Sequence, residues 1–183
     1  MRFFTSLLTV IILSITSMAD APDDLGPAIG SKIPHNLKTT DQHGKIQTVD
    51  SLMGEKGLVL AFFRSVEWCP YCQMQLIDLK INAVESVRAK GYNLAAISYN
   101  NTDALAAFHE KWNIDYALLS DEGSVAIDAF GLRNPEYKKG NMAHGVPYPI
   151  LFVINPDKVI VKKLHTPNYR KRPTVAAIIA ALD

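Results

Sequence analysis

The chain has little cysteine and almost no net charge. Its 183 residues include two cysteines, and 19 basic residues balance 18 acidic ones. Without a basic excess there is nothing to hold a phosphate backbone, so nucleic acid is not an expected partner. We find no internal repeat, no low-complexity tract and no linker that would divide the chain. The length and the 48% hydrophobic content suit one globular domain with a proper core.

Long apolar runs are also absent, except at the N-terminus. There, Arg2 precedes an apolar stretch over residues 3–15, and small residues follow. This order is typical of a secretory signal, with cleavage after Ala19 or Ala21. The alternative is an uncleaved anchor that holds the protein to a membrane through residues 3–15. The stretch is short for a bilayer span, which favours cleavage. Either way we expect an exported protein, in the periplasm or another extracytoplasmic space.

The two cysteines are the most informative residues, because they stand three positions apart in Trp68-Cys-Pro-Tyr-Cys72. A disulfide between Cys69 and Cys72 would close a loop too small to restrict the unfolded chain much. A redox or metal-binding role explains the spacing better than a structural staple does. The residues before the pair, 58–63, form an unbroken apolar run that predicts a buried strand. Residues 71–90 after it carry apolar side chains at helical spacing.

A cysteine at the start of a helix can become acidic. The helix N-terminus presents unpaired N–H groups and the positive end of the helix dipole, and both favour a thiolate. Such cysteines have pKa values of about 3.5–7.5, against about 8.5 for a free cysteine. We therefore expect Cys69 to be the nucleophile and Cys72, one turn later and more enclosed, to attack the mixed disulfide. Pro70 fits the first helical turn, where its missing N–H has no partner to lose.

The remaining pattern predicts an α/β fold, a sandwich in which helices flank a central mixed sheet. We expect a signal over residues 1–21 and a single domain over 22–183. The predicted elements after the motif are strands at 93–98, 116–119, 150–154 and 159–164, and helices at 102–112, 124–130 and 175–182. Two short strands are predicted within 37–49, around a turn at His43-Gly44.

The motif Glu67-Trp-Cys-Pro-Tyr-Cys72 after a buried strand resembles the active site of the thioredoxin superfamily. The segment Gly145-Val-Pro-Tyr-Pro149 is similar to that superfamily's cis-proline loop, which implies that Pro149 faces the disulfide. The segments 118–131 and 30–44 resemble the AhpC/TSA branch, the peroxiredoxin-like redoxins. The resemblance spans about residues 28–182 and implies a thioredoxin fold, a three-layer sandwich.

The chain also departs from that branch. Typical peroxiredoxins have Thr or Ser three residues before the peroxide-attacking cysteine and Pro four residues earlier, where this chain has Val66 and Phe62. Ser65 is the neighbouring hydroxyl that would have to substitute. Phe63 stands where thioredoxins carry a buried Asp. Two interpretations of Arg64 carry equal weight: it stabilises a thiolate or a peroxide oxygen, or it is solvated at the strand end.

The resemblance implies a thiol–disulfide oxidoreductase with an antioxidant or redox-homeostasis role. The alternative within enzymes is a thiol-dependent peroxidase that reduces hydroperoxides. No organic cofactor is expected, and the expected partner is a protein, either a thioredoxin-like thiol donor or a disulfide substrate. Beside the two cysteines, the residues expected to support the site or bind substrate are Arg64, Trp68, Pro70, Tyr71, Tyr148 and Pro149.

An alternative of another class is a copper-binding or copper-delivery module, in which His144 joins the two cysteines. Trp68 is interpreted as a flat apolar cover beside the disulfide, and Tyr71 as either a partner contact or a cover for the helix. The cluster Tyr169–Arg172 is interpreted as solvated surface. Phe108 and Trp112 are predicted in the core. The histidines predicted at the surface are His35, His43, His109 and His165.

Overall fold

The computed structural model describes residues 22, 24–168 and 170–183, and its elements follow the predicted order. The strands are β1 (Thr39–Asp41), β2 (Ile46–Gln47), β3 (Gly57–Phe62), β4 (Tyr92–Ser98), β5 (Ala117–Ser120), β6 (Ile150–Ile154) and β7 (Ile160–Leu164). The helices are α1 (Val49–Leu52), α2 (Pro70–Asp78), α3 (Val84–Ala89), α4 (Thr102–Trp112), α5 (Val125–Ala129) and α6 (Val175–Ala180).

The described strands form one mixed sheet in the order β2-β1-β5-β4-β3-β6-β7. β3 pairs in parallel with β4, and β4 pairs in parallel with β5. The hairpin β6–β7 is antiparallel and joins the sheet on the other side of β3. The predicted mixed α/β sandwich is therefore confirmed, with parallel units first and an antiparallel hairpin last.

β3 lies at the centre of the site because both of its faces are covered. All six of its residues are buried, as its unbroken apolar run predicts. Leu58 and Leu60 pack into the core on one face of the sheet, and Val59 and Ala61 pack into the core on the other. Full burial of a leucine or valine contributes about 1.5–3 kcal/mol, so this strand is firmly fixed.

The two cores complete three layers. One core contains apolar side chains from α2, α3, α4 and α6 together with Cys69 and Cys72. The other contains side chains from α1 and α5 on the opposite face of the sheet. The cysteine pair therefore belongs to the packed interior on the α2 face rather than to an external loop.

The helix predicted over residues 71–90 is observed with an irregularity in its middle. A π-helical segment, Leu79–Ala83, separates α2 from α3, and the Val84 N–H donates to the Leu79 carbonyl five residues earlier. The periodicity of apolar residues does not show this extra residue. The helix ends at Gly91, whose φ of +84° suits a glycine after a helix, as predicted.

Two groups of sequence predictions need correction. Phe108 is buried as predicted, but Trp112 is 41% exposed because it is the last residue of α4, where the chain turns away. Among the histidines, His43 is exposed. Those that are half-buried instead are His35, His109 and His165. His109 is held there because Nδ1 lies 2.7 Å from the Ile114 carbonyl oxygen.

The predicted signal, residues 1–21, lies outside the described residues. Within the described part of the chain, no helix has the length and apolar character needed to cross a bilayer.

The predicted turn at His43-Gly44 is present, and a buried carboxylate organises it. Asp41 Oδ1 accepts from the backbone N–H groups of His43 (2.9 Å) and Lys45 (3.0 Å), and Oδ2 accepts from Gln47 Nε2 (2.7 Å). Burial alone would raise the pKa of this carboxyl, but the hydrogen bonds outweigh it and the pKa lies below its ordinary value. The ionised carboxylate therefore stabilises the turn.

We predict that Asp41→Asn lowers the free energy of unfolding by about 1–3 kcal/mol at neutral pH, because charge-assisted hydrogen bonds are lost. Since the folded-state pKa is depressed, this stabilisation is present above the ordinary carboxyl pKa and is lost as the pH falls through the folded-state value. Urea unfolding at neutral and acid pH measures both effects. The control is Asp157→Asn in an exposed turn. Equal losses in the two variants would contradict the role of Asp41.

Candidate active site

The strand–cysteine pair–helix arrangement is observed. β3 ends at Phe62, and α2 begins at Pro70 with Cys69 as the residue that caps its N-terminus. The Cys69 carbonyl accepts the first helical hydrogen bonds, from the N–H groups of Cys72 (3.0 Å) and Gln73 (3.1 Å). A disulfide joins the two cysteines, whose Cα atoms lie 5.3 Å apart.

Cys69 is more enclosed than the sequence predicts. Cys72 is fully buried, as expected for the partner in the first helical turn, but Cys69 is only 2% exposed. The prediction of an accessible Cys69 is therefore wrong for the disulfide form. The side chain that lies over the pair comes from Arg172, in the segment before α6.

The polar contacts of the disulfide converge on Cys72. The Arg64 backbone N–H donates to Cys72 Sγ at 3.4 Å, and Arg172 Nη2 lies 3.2 Å from the same sulfur. Arg172 Nη2 is 3.9 Å from Cys69 Sγ. A positive charge and a backbone donor thus stand where negative charge forms when Cys72 leaves the disulfide as a thiolate.

Arg172 is a site residue that the sequence does not predict. The cluster Tyr169–Arg172 was interpreted as solvated, and Tyr169 lies outside the described residues, while Arg170 and Lys171 are exposed. Arg172 instead turns inward, and burial together with the charge of Arg64 lowers its pKa to about 10. It stays protonated at neutral pH. It stands 100 residues after Cys72, so nothing in the local sequence connects the two.

Arg64 is not solvated, so one of the two interpretations of this residue is wrong. It is buried, and its guanidinium stacks on the rings of Trp68 and Tyr137, at 4.7 Å and 5.5 Å from their centroids. It also donates to the Tyr137 hydroxyl. The group of Arg64 that reaches the sulfurs is the backbone N–H, and the side chain anchors the residues around it.

Trp68 covers the site as an apolar side chain, in agreement with its interpretation. Its ring is half-buried and packs against the core that contains both cysteines. Its Nε1 donates to the Tyr99 hydroxyl at 2.8 Å, and that hydroxyl donates to the Met142 carbonyl at 3.3 Å. The indole is thereby fixed in orientation beside the disulfide.

Asn100, at the carboxyl end of β4, holds the segment that leads to the cysteines. Its Oδ1 accepts from the buried Val66 N–H at 3.0 Å, and its Nδ2 donates to Glu67 Oε2 at 2.7 Å and to Ser65 Oγ at 3.3 Å. Asn100 was not singled out from the sequence. The signal was a polar residue directly after a buried parallel strand, the edge of an α/β sheet where sites form.

The hydroxyl expected in peroxiredoxins is absent at Val66, which is buried. Ser65 does not replace it at the site, because Ser65 is fully buried and its Oγ accepts from the Glu67 N–H (3.0 Å) and from Asn100. The neighbouring hydroxyl therefore supports the loop instead of facing the sulfur pair.

The predicted cis bond at Pro149 is wrong. No cis peptide bond occurs in the described residues, so the Tyr148–Pro149 bond is trans. The Tyr148 N–H donates to the Leu132 carbonyl at 2.8 Å, which holds the segment extended as it enters β6. Tyr148 packs into the core opposite the cysteines, where burial raises its pKa. It does not support the site in the way predicted.

His144 is exposed, and the structure does not bring it together with the cysteines. Over residues 24–168 and 170–183, no group of three or more His, Cys, Asp or Glu side chains is placed to hold a metal ion. The arrangement that the copper alternative requires is therefore not observed. Tyr71 and Pro70 are exposed at the start of α2, where Tyr71 lines a groove together with Arg172.

We predict that Asn100→Ala lowers the free energy of unfolding by about 1–3 kcal/mol, because the buried Val66 N–H loses its partner. Thiol–disulfide exchange should slow as well, since the segment before Cys69 loses its anchor. Urea unfolding and exchange rates test this. The control is Asn82→Ala, an exposed helix residue whose amide bonds only to Asp78 among the contacts described. Unchanged stability and exchange in the Asn100 variant would contradict the assignment.

Comparison with known proteins identifies the family to which this chain is similar. The model of the AhpC/TSA family matches residues 29–163. Peroxiredoxin Bcp of Escherichia coli K12 is 26% identical over 133 residues, which are 73% of this chain and 83% of that protein. A putative peroxiredoxin bcp of Buchnera aphidicola is 29% identical over 143 residues, covering 77% and 82% of the two chains.

Solved structures show the same fold. Reduced Prx3 of Vibrio vulnificus in complex with hydrogen peroxide superposes with a TM-score of 0.72 at 21% identity, over 86% of this chain and 99% of that one. Peroxidoxin BcpB of Mycobacterium tuberculosis gives 0.70 at 19% identity, over 86% and 96%. With the family model covering most of the chain, this protein belongs to the AhpC/TSA family.

Proposed function

We propose that this protein is a thiol–disulfide oxidoreductase that uses the Cys69–Cys72 pair as its redox centre. The observation that carries the proposal is the disulfide at the start of α2, with the guanidinium of Arg172 in contact with both sulfurs. A helix start and an arginine are the surroundings in which a thiolate is stable and exchange is fast. The electrons reside in the sulfur pair, so the proposal includes no organic cofactor.

In the reduced protein, the Cys69 thiolate attacks a substrate disulfide and releases one substrate thiolate. The Cys72 thiolate then attacks Cys69 Sγ in the mixed disulfide, the second substrate thiolate leaves, and the internal disulfide forms. Two electrons pass from the protein to the substrate. A thiol reductant returns them, and the sequence-based proposal for that reductant is a protein of thioredoxin type. The resulting role is redox homeostasis.

Peroxidase activity is the second candidate, because the relatives that the chain matches are named peroxiredoxins. In that reaction the Cys69 thiolate attacks a peroxide oxygen, the O–O bond breaks, and an alcohol or water leaves. Cys72 then condenses with the sulfenic acid, releasing water and forming the same disulfide. Val66 in place of a hydroxyl residue favours disulfide exchange over this reaction.

We predict that Cys72→Ser accumulates a mixed disulfide on Cys69 with a small disulfide substrate, whereas Cys69→Ser reacts at least tenfold more slowly, roughly the scale set by the loss of a helix-start thiolate. Intact-protein mass spectrometry identifies the adduct. Equal adduct formation on Cys72 in the Cys69 variant would reverse the assigned roles.

Stopped-flow fluorescence separates exchange from peroxide reduction. Trp112→Phe leaves Trp68, beside the disulfide, as the reporting tryptophan. We expect rapid oxidation of reduced protein by disulfides and slow oxidation by hydrogen peroxide. Rapid, saturating oxidation by peroxide would instead establish the peroxidase.

We also propose that the protein is exported. The support is the order of a positive residue, an apolar stretch and small residues over 1–21. Expression of the full chain in a Gram-negative host should give a periplasmic product that begins at Asp20 or Pro22, identified by N-terminal sequencing. A cytoplasmic product that retains Met1 would contradict export without affecting the redox assignment.

A further inference from the structure

A groove runs beside the sulfur pair, between α2 and the segment that leads into α6. It has a volume of about 380 Å³, within the range of small-molecule sites. Tyr71 and Met74 on α2 form an apolar wall, opposite Pro173 and Val175. Arg172 lines the groove and also contacts both sulfurs, so this one side chain separates the groove from the disulfide.

The charges that line this groove are mainly positive. Arg170 and Arg172 contribute two guanidinium groups, and among the described lining residues one carboxylate is present, that of Asp78, which accepts a hydrogen bond from Asn82 at 2.7 Å. Arg172 is charged at neutral pH, since its pKa of about 10 is lowered by burial and by Arg64 but remains well above neutrality.

A second groove, on the Trp68 side of the motif, has the opposite character. It has a similar volume of about 390 Å³ and is lined by Glu67 and Glu122, with Tyr99, Asn100 and Met142. Among the described residues that line it, none is a lysine or arginine, although the Arg64 guanidinium lies over the Trp68 ring. The described lining of the groove on the Arg172 side is thus mainly positive, and the charged groups that line the groove on the Trp68 side are carboxylates. An anionic reactant is attracted to the first and repelled from the second.

We propose that the Arg172 groove binds a small thiol that carries a carboxylate near its sulfur, and that this anionic thiol is the reductant of the Cys69–Cys72 disulfide. The proposal rests on the proposed oxidoreductase function and names its reductant class. The burial of both sulfurs favours such a molecule over the protein donor predicted from the sequence, because a protein surface reaches a 2% exposed residue less easily.

The reaction balances as two exchange steps. The thiolate of the bound molecule attacks Cys69 Sγ, the Cys69–Cys72 bond breaks, and the electron pair goes to Cys72 Sγ. That sulfur lies 3.2 Å from Arg172 Nη2 and 3.4 Å from the Arg64 backbone nitrogen, which stabilise the leaving thiolate. A second small thiolate attacks the outer sulfur of the mixed disulfide, releases Cys69 as a thiolate and departs as the oxidised small disulfide.

The test compares three small thiols of similar size and different charge: mercaptopropionate, mercaptoethanol and cysteamine. Rates of reduction of the wild-type disulfide are measured per thiolate at low ionic strength. They are divided by the rates on a short Trp-Cys-Pro-Tyr-Cys peptide disulfide, which corrects for intrinsic nucleophilicity. We expect the anionic thiol to exceed the cationic one by about tenfold or more, and the preference to fall with added salt.

Variants test whether the preference for the anionic thiol arises in the Arg172 groove. Arg172→Met should reduce it to within about twofold, as expected when the steering charge is removed, whereas Arg172→Lys should keep most of it. Glu122→Gln, in the opposite groove, is the matched control and should retain the preference. If the Arg172→Met protein does not fold, the salt dependence in the wild type and the effect of Arg170→Met decide the question.

Several outcomes would overturn the proposal. One is the same order of reduction rates among the three thiols in protein and peptide. Another is a preference for the anionic thiol that survives Arg172→Met. A third is an equal acceleration of reduction by all three thiols in that variant, which would mean that Arg172 only covers the disulfide. Faster reduction by reduced thioredoxin than by mercaptopropionate at equal thiolate concentration would do so as well. A wild-type disulfide that no thiol reduces faster than the peptide would refute the oxidoreductase function, and the anionic reductant with it.

Discussion

The contact between one guanidinium and two buried sulfurs is the interaction on which the site depends. The sulfurs of a disulfide carry no net charge, so Arg172 Nη2 meets polarisable atoms there, while Nη1 of the same guanidinium donates to the Lys171 carbonyl at 2.8 Å. Reduction turns these sulfurs into thiols or thiolates. A thiolate at Cys72 would lie 3.2 Å from Arg172 Nη2, and one at Cys69 would lie 3.9 Å from it. The protein therefore holds a positive charge in advance at the place where negative charge forms, which is the arrangement expected of a preorganised redox site.

The other polar contacts of the site fix the segment before Cys69 and so hold the sulfur pair beside the Arg172 guanidinium. Asn100 binds the backbone and side chains of residues 65–67, and the Arg64 side chain is stacked between Trp68 and Tyr137. These polar groups are buried and bonded, so the loop is rigid despite having no regular structure. Ser65 is used in this support and residue 66 is apolar, so the site has fewer hydroxyl donors near the sulfurs than the peroxiredoxin pattern has.

What the sequence predicted correctly is what local patterns encode. The apolar run at 58–63 predicted a buried strand, and the helical spacing of apolar residues over 71–90 predicted a helix directly after the cysteines; both are observed. What it missed depends on contacts between distant residues. Arg172 lies in an exposed basic cluster by composition and turns inward only because α6 docks where it does. The bond before Pro149 is trans, and the preceding Tyr148 N–H donates to the distant Leu132 carbonyl, a contact that no local motif predicts.

The position of Arg172 is set by the same helix that carries the cysteines. Thr174 caps α6 by accepting from the Ala177 N–H at 3.2 Å, so Arg172 stands two residues before the capping residue of that helix. Ile178 of α6 is buried in the core with Leu79 of the π-helical segment that continues α2. The sulfurs lie at the first turn of α2. The segment that carries Arg172 is positioned by the packing of α6 on the π-helical segment that continues α2. A change in how α6 packs on that irregular segment would therefore move the charge relative to the disulfide, which couples the redox centre to the C-terminal end of the fold.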